Sequence, residues 1–181
     1  MRRLWGRWQQ RFSRARPFIV GLSNYDGKTL SQAAAILKDL KCPFVINQNR
    51  YSIFDRTVEE NGLKRTTGIL KKGLITFSPL AQGQLTDRYL NGIPADSRIA
   101  TDGRFLKADQ LTEEKLASIR GLNELAKQRG ESLAQMALKW VLKDHVVTKR
   151  ADRCDPRQHK ILDNLKVLES ADFTEEERKK I

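Results

Sequence analysis

The sequence predicts an α/β fold in which short strands alternate with helices around a parallel sheet. Three observations lead there. Between residues 18 and 147, each short apolar run is followed by a longer amphipathic stretch, the signature of repeated strand-helix units. The chain has 181 residues, enough for one domain with its own apolar core. No segment repeats another in tandem.

The first run, Phe18 to Leu22, leads through Ser23 and Asn24 to a helix from Thr29 to about Leu40, whose Ala33, Ile36, Leu37 and Leu40 share one face. The second, Phe44 to Gln48, precedes a helix near Thr57 to Lys71. The third, Leu74 to Phe77, stops at Ser78-Pro79, because proline offers no N–H to a strand ladder. From Gln82 to Gln110 the composition turns to Gly, Pro, Asp, Arg and Ser, and connections of that length belong to lids and binding loops.

A helix then starts near Leu111, with Thr112 as N-cap and acids in its first turn, and ends at Arg129-Gly130, where glycine supplies a left-handed cap. The next runs from Ser132 to Lys143. Its Leu133, Met136, Ala137 and Trp140 stand at core spacing, so Met136 and Trp140 are read as core and not as a cofactor box. Val146-Val147 opens a fourth strand that Thr148 to Lys160 is not expected to continue. That stretch holds seven charged residues, whereas buried parallel strands are near-continuous Val/Ile/Leu runs. Ile161 to Leu168 reads as an amphipathic helix, and Thr174 opens a last short one.

The net charge of +12 is unevenly placed. Residues 1–17 hold six Arg and no acid, residues 148–160 five basic against two acidic side chains, and the remainder is near balance. Trp5, Trp8 and the six Arg could join stacking to phosphate contacts, so a basic N-terminus that binds nucleic acid or an anionic membrane is a second alternative function, although frame-shifted coding of a GC-rich gene also produces arginine. No stretch approaches the roughly 18 apolar residues of a membrane span, and the basic start lacks a secretory pattern, so a cytoplasmic location is expected. Cys42 and Cys154 have no Cys or His at ligand spacing, which points to free thiols and no metal site. Four segments follow: residues 1–17, basic and expected to be disordered; 18–147, the main domain; 148–160, irregular; and 161–181, a helical region of the same domain.

Five stretches carry a resemblance: GLSNY at 21–25, INQNRYS at 46–52, ITFSPLAQGQLTDRYLNGIPADSR at 75–98, LAQMALKWVLKD at 133–144 and ILDNL at 161–165. In this order the chain resembles the aldo-keto reductases, in the branch of L-glyceraldehyde 3-phosphate reductase and the potassium-channel beta subunits. The resemblance implies an eight-stranded (β/α) barrel, of which these runs are strands five to eight, the C-terminal half. It also implies NADPH and a small aldehyde substrate.

By resemblance, Ser23, Asn24 and Gln48 hydrogen-bond the nicotinamide carboxamide and Phe77 lies against the ring. Ser78, Pro79, Leu80, Ala81 and Gln82 bend around the pyrophosphate, with Arg88 and Arg98 supplying positive charge. Asp163 and Asn164 hold adenine, and Lys160 stands near the 2′-phosphate. Cations and backbone N–H groups suit phosphates, and a flat apolar side chain suits the ring. Taken alone, Ser23-Asn24 is a helix N-cap pair and Asn164 a solvated helix residue.

Carbonyl reduction in the family takes its proton from a tyrosine tuned by a lysine and an aspartate, beside a histidine that orients the carbonyl. By resemblance all four come from the first four strands. His145, His159, Tyr25, Tyr51 and Tyr89 match none of those positions. The expectation is a truncated reductase with no catalytic residue of its own, unstable alone or completed by an N-terminal half chain or by self-association. Where the family has a Gly-x-Ser turn after strand eight, this chain has Cys154 and Pro156. Codons AAG-CGC-GCT-GAT-CGG-TGC for Lys149 to Cys154, read one base later, spell Ser-Ala-Leu-Ile-Gly-Ala, much like the family motif. Suitable codons for Gly6 to Ser13, read one base earlier, spell a family-like helix. Both charge-rich stretches are therefore expected to be frame-shifted translations.

Overall fold

The computed structural model describes residues 19–95, 109, 111–151 and 158–181, with the backbone alone for 149–151 and 158–161. The basic segment 1–17, Arg98, Cys154 and Pro156 lie outside the described residues. The chain divides into two units.

The first unit, described over residues 19–51, 56–77 and 145–150, holds the sheet. Its elements are β1 (Val20–Ser23), α1 (Gly27–Asp39), β2 (Phe44–Arg50), α2 (Thr57–Glu60), α3 (Leu63–Ile69), β3 (Gly73–Phe77) and β4 (Val147–Ala151), whose last residue falls in the second unit. The strands lie in the order β1-β2-β3-β4, with β1 to β2 and β2 to β3 parallel, as strand-helix alternation predicts.

Three local expectations are corrected. Helix α1 starts at Gly27 and not at Thr29, because Asp26 is the N-cap, its carboxylate accepting from the Thr29 N–H at 2.6 Å. Ser23-Asn24 is therefore not the cap pair. The buried stripe of α1 is Gly27, Leu30, Ala33 and Leu37, while Ile36 and Leu40 are half-buried. The helix expected over Thr57 to Lys71 is two, broken at Gly62, whose φ of 74° departs from helical geometry. The third correction concerns β4, which runs on to Ala151. Last in the order, it has one neighbour among the described strands, and a strand in that place tolerates charge where a central one does not. The Leu74 N–H donates to Val146 O at 3.1 Å, and Thr148 is exposed.

The register contains one bulge. Val20 pairs with Phe44 but Gly21 with Ile46, so Val45 has no partner on β1. This extra residue lets Phe44 and Asn47, three positions apart, share the helix-covered face with Leu22, Asn49, Leu74 and Thr76, all at most 9% exposed. The alternate residues form the open face: Gly21 and Ser23 on β1, Ile46, Gln48 and Arg50 on β2, and Gly73, Ile75 and Phe77 on β3. Ile46 lies between the two glycines, and a Cβ at either Gly21 or Gly73 would come within 3.3 Å of it.

The second unit, described over residues 52–55, 78–95, 109, 111–144, 151 and 158–181, is helical. Short 3₁₀ turns at Ala81–Gly83 and Asp87–Tyr89 precede α4 (Glu113–Gln128), α5 (Leu133–Val141), α6 (Gln158–Leu165), another 3₁₀ turn at Lys166–Leu168 and α7 (Glu175–Lys180). The Thr112 hydroxyl caps α4, accepting from the Lys115 N–H at 3.2 Å, and Gly130 follows its end with φ 71°. Ser132 and Gln135 form a capping box on α5, as do Thr174 and Glu177 on α7. Leu133, Met136, Ala137 and Trp140 are at most 2% exposed, as core spacing predicts, with Leu133 and Met136 each contributing about 1.5–3 kcal/mol by burial. Helix α6 begins at Gln158, three residues before the expected Ile161. Among the described residues no helix is long and apolar enough to cross a membrane.

Candidate functional site

The residues singled out by sequence fall in both units, and each group is described within its own. In the first unit, cross-strand register places Ser23, Gln48 and Ile75 in one row of the open face, near the C-terminal ends of their strands. The next row holds Arg50 and Phe77. Ser23 is exposed, while Gln48 and Phe77 are half-buried. Sequence reasoning thus found three residues that the sheet brings to one face.

Asn24 begins the three-residue connection from β1 to α1. Its φ is 59°, a left-handed conformation that asparagine tolerates better than most residues, and its N–H donates to Gln48 O at 2.9 Å. Each further residue of the connection is tied as well: Tyr25 O accepts from Asn49 Nδ2 at 3.2 Å, and Asp26 caps α1. The Gly27 N–H donates to Asn61 O at 3.2 Å, and a Cβ on Gly27 would lie 2.6 Å from the Gly62 backbone.

Sequence reasoning missed Asn47 and Asn49, although both stand in the INQNRYS stretch. Asn47 is fully buried, Asn49 nearly so, and Asn47 Nδ2 donates to Asn49 Oδ1 at 2.6 Å. The available signal was two asparagines, polar and poor strand formers, inside a strand-like run. Tyr51 is fully buried. Its hydroxyl donates to Glu59 Oε1 at 2.5 Å and accepts from Lys64 Nζ at 3.2 Å.

In the second unit, Ser78, Ala81 and Gln82 all have positive φ (53°, 46° and 61°), followed by Gly83 at 96°. Non-glycine residues hold such conformations at a cost of about 1–2 kcal/mol each, and concentrations of them mark functional bends. Gln82 Nε2 donates to Ser78 Oγ at 3.0 Å, and the Ala81 N–H donates to Ser78 O at 3.0 Å, closing the bend. Pro79 is buried and Leu80 half-buried. Leu85 and Tyr89, at most 1% exposed, anchor the chain that follows, and the Arg88 N–H donates to the Thr86 hydroxyl at 3.2 Å, leaving the half-buried Arg88 one turn beyond the bend.

On α6 Asp163 is exposed and Asn164 half-buried. Asp163 O accepts from Gln135 Nε2 at 3.1 Å, and its carboxylate pairs with Lys166 at 2.9 Å. Lys160 stands on α6 by its backbone, its side chain lying outside the described residues.

Comparison with known proteins gives a consistent result. The family model for the aldo/keto reductase family matches residues 19–181. The chain is 42% identical over 161 residues to L-glyceraldehyde 3-phosphate reductase of Escherichia coli (strain K12), covering 87% of this chain and 46% of that protein. It is 31% identical over 156 residues to a probable voltage-gated potassium channel subunit beta of Oryza sativa subsp. japonica, covering 84% and 47%. A thermostable aldo-keto reductase crystallised with the inhibitor epalrestat superposes with a TM-score of 0.62 at 26% identity, over 89% of this chain and 46% of its own. Glycerol dehydrogenase from Gluconobacter oxydans, at 24% identity and a TM-score of 0.67, shares the fold over 88% and 46%. The chain spans about half the length of the relatives it matches, and the strand-helix order corresponds to a partial barrel. With its family match running from the first strand to the last helix, the chain belongs to the aldo/keto reductase family.

Proposed function

We propose that this chain is a reductase-family polypeptide that keeps part of an NADPH site, without the proton-transferring residues in positions 1–181. The observation that carries the reading is the row of Ser23 and Gln48 beside the half-buried Phe77 on the open face of β1 to β3. Polar groups that can pair with a carboxamide, next to an aromatic surface that can take a ring, fit the nicotinamide end. In the second unit, the left-handed bend at Ser78, Ala81 and Gln82 and the cation of Arg88 fit the phosphates.

Ser23, Asn24 and Gln48 would hold the carboxamide and Phe77 the ring face. Ser78 to Gln82, with Arg88 and Arg98, would hold the pyrophosphate, Lys160 the 2′-phosphate, and Asp163 and Asn164 the adenine. When bound, NADPH supplies a hydride to a carbonyl carbon, and the substrate class is a small aldehyde, in keeping with the name of the Escherichia coli relative. Cytoplasmic residence and the frame-shifted origin of 1–17 and 148–160 belong to the same proposal. Fluorescence titration of NADPH with the purified protein should saturate, Gln48→Ala should weaken it, and no aldehyde should be reduced above background. Turnover by the purified chain through its own side chains, or no NADPH binding, overturns the reading.

A second reading, a reductase completed by a separately encoded chain, is favoured by the exposed apolar side chains of Ile19, just before β1, and Val45, on the neighbouring β2, at 67% and 41% exposure. Co-expression with an N-terminal reductase half should then restore NADPH-dependent aldehyde reduction. Background rates in the co-purified pair reject it.

A further inference from the structure

We propose that Asn47 and Asn49 are positioning residues that set the Ser23–Asn24–Tyr25 turn for contact with the carboxamide. The inference rests on the cofactor reading above, and deepens it. Asn47 stands in register between Leu22 on β1 and Leu74 on β3, in the middle of an apolar, fully covered row. Packing alone would put a branched aliphatic there, since a buried amide costs free energy unless its hydrogen bonds are made. Asn47 Oδ1 has no partner among the described residues, so the position keeps an amide at a net cost. What the amide does is donate from Nδ2 to Asn49 Oδ1 at 2.6 Å.

That bond fixes which way the Asn49 amide faces. With Oδ1 turned to Asn47, Nδ2 is turned to Tyr25 O, 3.2 Å away and 24 residues distant in sequence. The turn is therefore gripped on both sides of the Asn24–Tyr25 peptide, by the Asn24 N–H on Gln48 O and by Asn49 on Tyr25 O. Between those two anchors lies Asn24 in its left-handed conformation, one the free chain seldom adopts. Ser23, immediately before, shares its row with Gln48. The two asparagine side chains alternate with Gln48 along β2 and lie on the helix-covered side of the sheet. They act through the turn, removing in advance the conformational freedom that ligand binding would otherwise have to remove.

Asn49→Leu removes the donor at similar volume, Asn49→Asp keeps the acceptor toward Asn47 but cannot donate to Tyr25 O, and Asn47→Leu removes the orienting amide while extending an apolar row. The last variant should melt no lower than the parent, which keeps the test open if either Asn49 variant folds poorly. Amide hydrogen exchange at Asn24, whose N–H donates to Gln48 O, should accelerate in all three, with the β2–β3 ladder amides unchanged. NADPH should bind roughly tenfold more weakly, the equivalent of about one lost hydrogen bond, while adenosine 2′,5′-bisphosphate, which lacks the nicotinamide, binds as before. Unchanged exchange at Asn24, or equal weakening of both ligands, overturns the proposal. If the parent protein binds no NADPH, the cofactor reading fails separately, and the exchange data alone decide whether the asparagines hold the turn.

Discussion

The guanidinium of Arg129 donates through Nη1 to Glu177 Oε1 at 2.9 Å, joining the residue that ends α4 to the first turn of α7. The same side chain donates to Glu131 at 3.1 Å and to Ala171 O at 2.6 Å, and lies 4.3 Å from the centre of the Phe173 ring. With the arginine side chain 6% exposed and its two carboxylate partners at 11% and 19%, this is a nearly dry ion cluster. Burial opposes its charge, but hydrogen bonds with Glu177 and Glu131 more than compensate and raise its pKa.

Arg129→Met should therefore destabilise the second unit by about 3 kcal/mol, because two carboxylates lose the cation that offsets their burial. Urea unfolding followed by tryptophan fluorescence would measure it, and hydrogen exchange should show residues 171–181 loosening first. A loss below the exposed-pair range of about 1 kcal/mol would mean the cluster is not a main tie.

Acid should act on the same cluster. The Thr174 N–H, with Arg129 beside it and against the opposing effect of burial, holds the Glu177 carboxyl below its ordinary value of 4.5. Its folded pKa thus lies below its unfolded one, so the unfolded chain takes up protons first as pH falls. The stabilisation is complete above about 4.5 and fades as pH drops through the lower folded value. Melting temperatures of the parent should fall steeply from pH 5 to pH 3, and Glu177→Gln should start lower and fall less steeply.

Two glycines should respond oppositely to alanine. At Gly27 a methyl would meet the Gly62 carbonyl at 2.6 Å, backbone that cannot swing aside, so Gly27→Ala should cost about 1–3 kcal/mol. Gly121 lies on the exposed side of α4 with nothing within 4 Å of an added Cβ, so Gly121→Ala should stabilise by roughly 0.5–1 kcal/mol. Paired thermal melts would check both signs.

Asn24 provides a backbone test. Asn24→Gly should leave the melting temperature within about one degree, since glycine accepts φ 59° freely, whereas Asn24→Val should cost about 1–2 kcal/mol. Equal melts for the two would show that the turn can relax to an ordinary conformation.

The sequence made legible what is local. Thr112 is legible as a cap, Gly130 as a terminator, and Ser132 and Thr174 as helix starts, because a cap acts within four residues of itself. Leu133, Met136, Ala137 and Trp140 followed from spacing alone. The break at Gly62 is local too, but a lone glycine inside a helix-like stretch does not by itself reveal that its φ is positive. The extension of β4 to Ala151 was obscured because a rule for strands covered on both faces was applied to an outer one. On the open face, Ser23, Gln48 and Phe77 were found through family motifs, whereas the bond from Asn49 to Tyr25 spans 24 residues and appears in no local pattern.

Val45, the unpartnered residue of the bulge, acts as a spacer that sets the phase of everything after it on β2. Excising that one residue would shift the downstream strand by half its two-residue period. Gln48 would then be turned in among the helices, and the asparagine amides would be thrown out onto the surface that now carries Ser23 and Phe77. A single position outside the candidate ligand contacts thus decides which side of the strand is dry and which is available for chemistry.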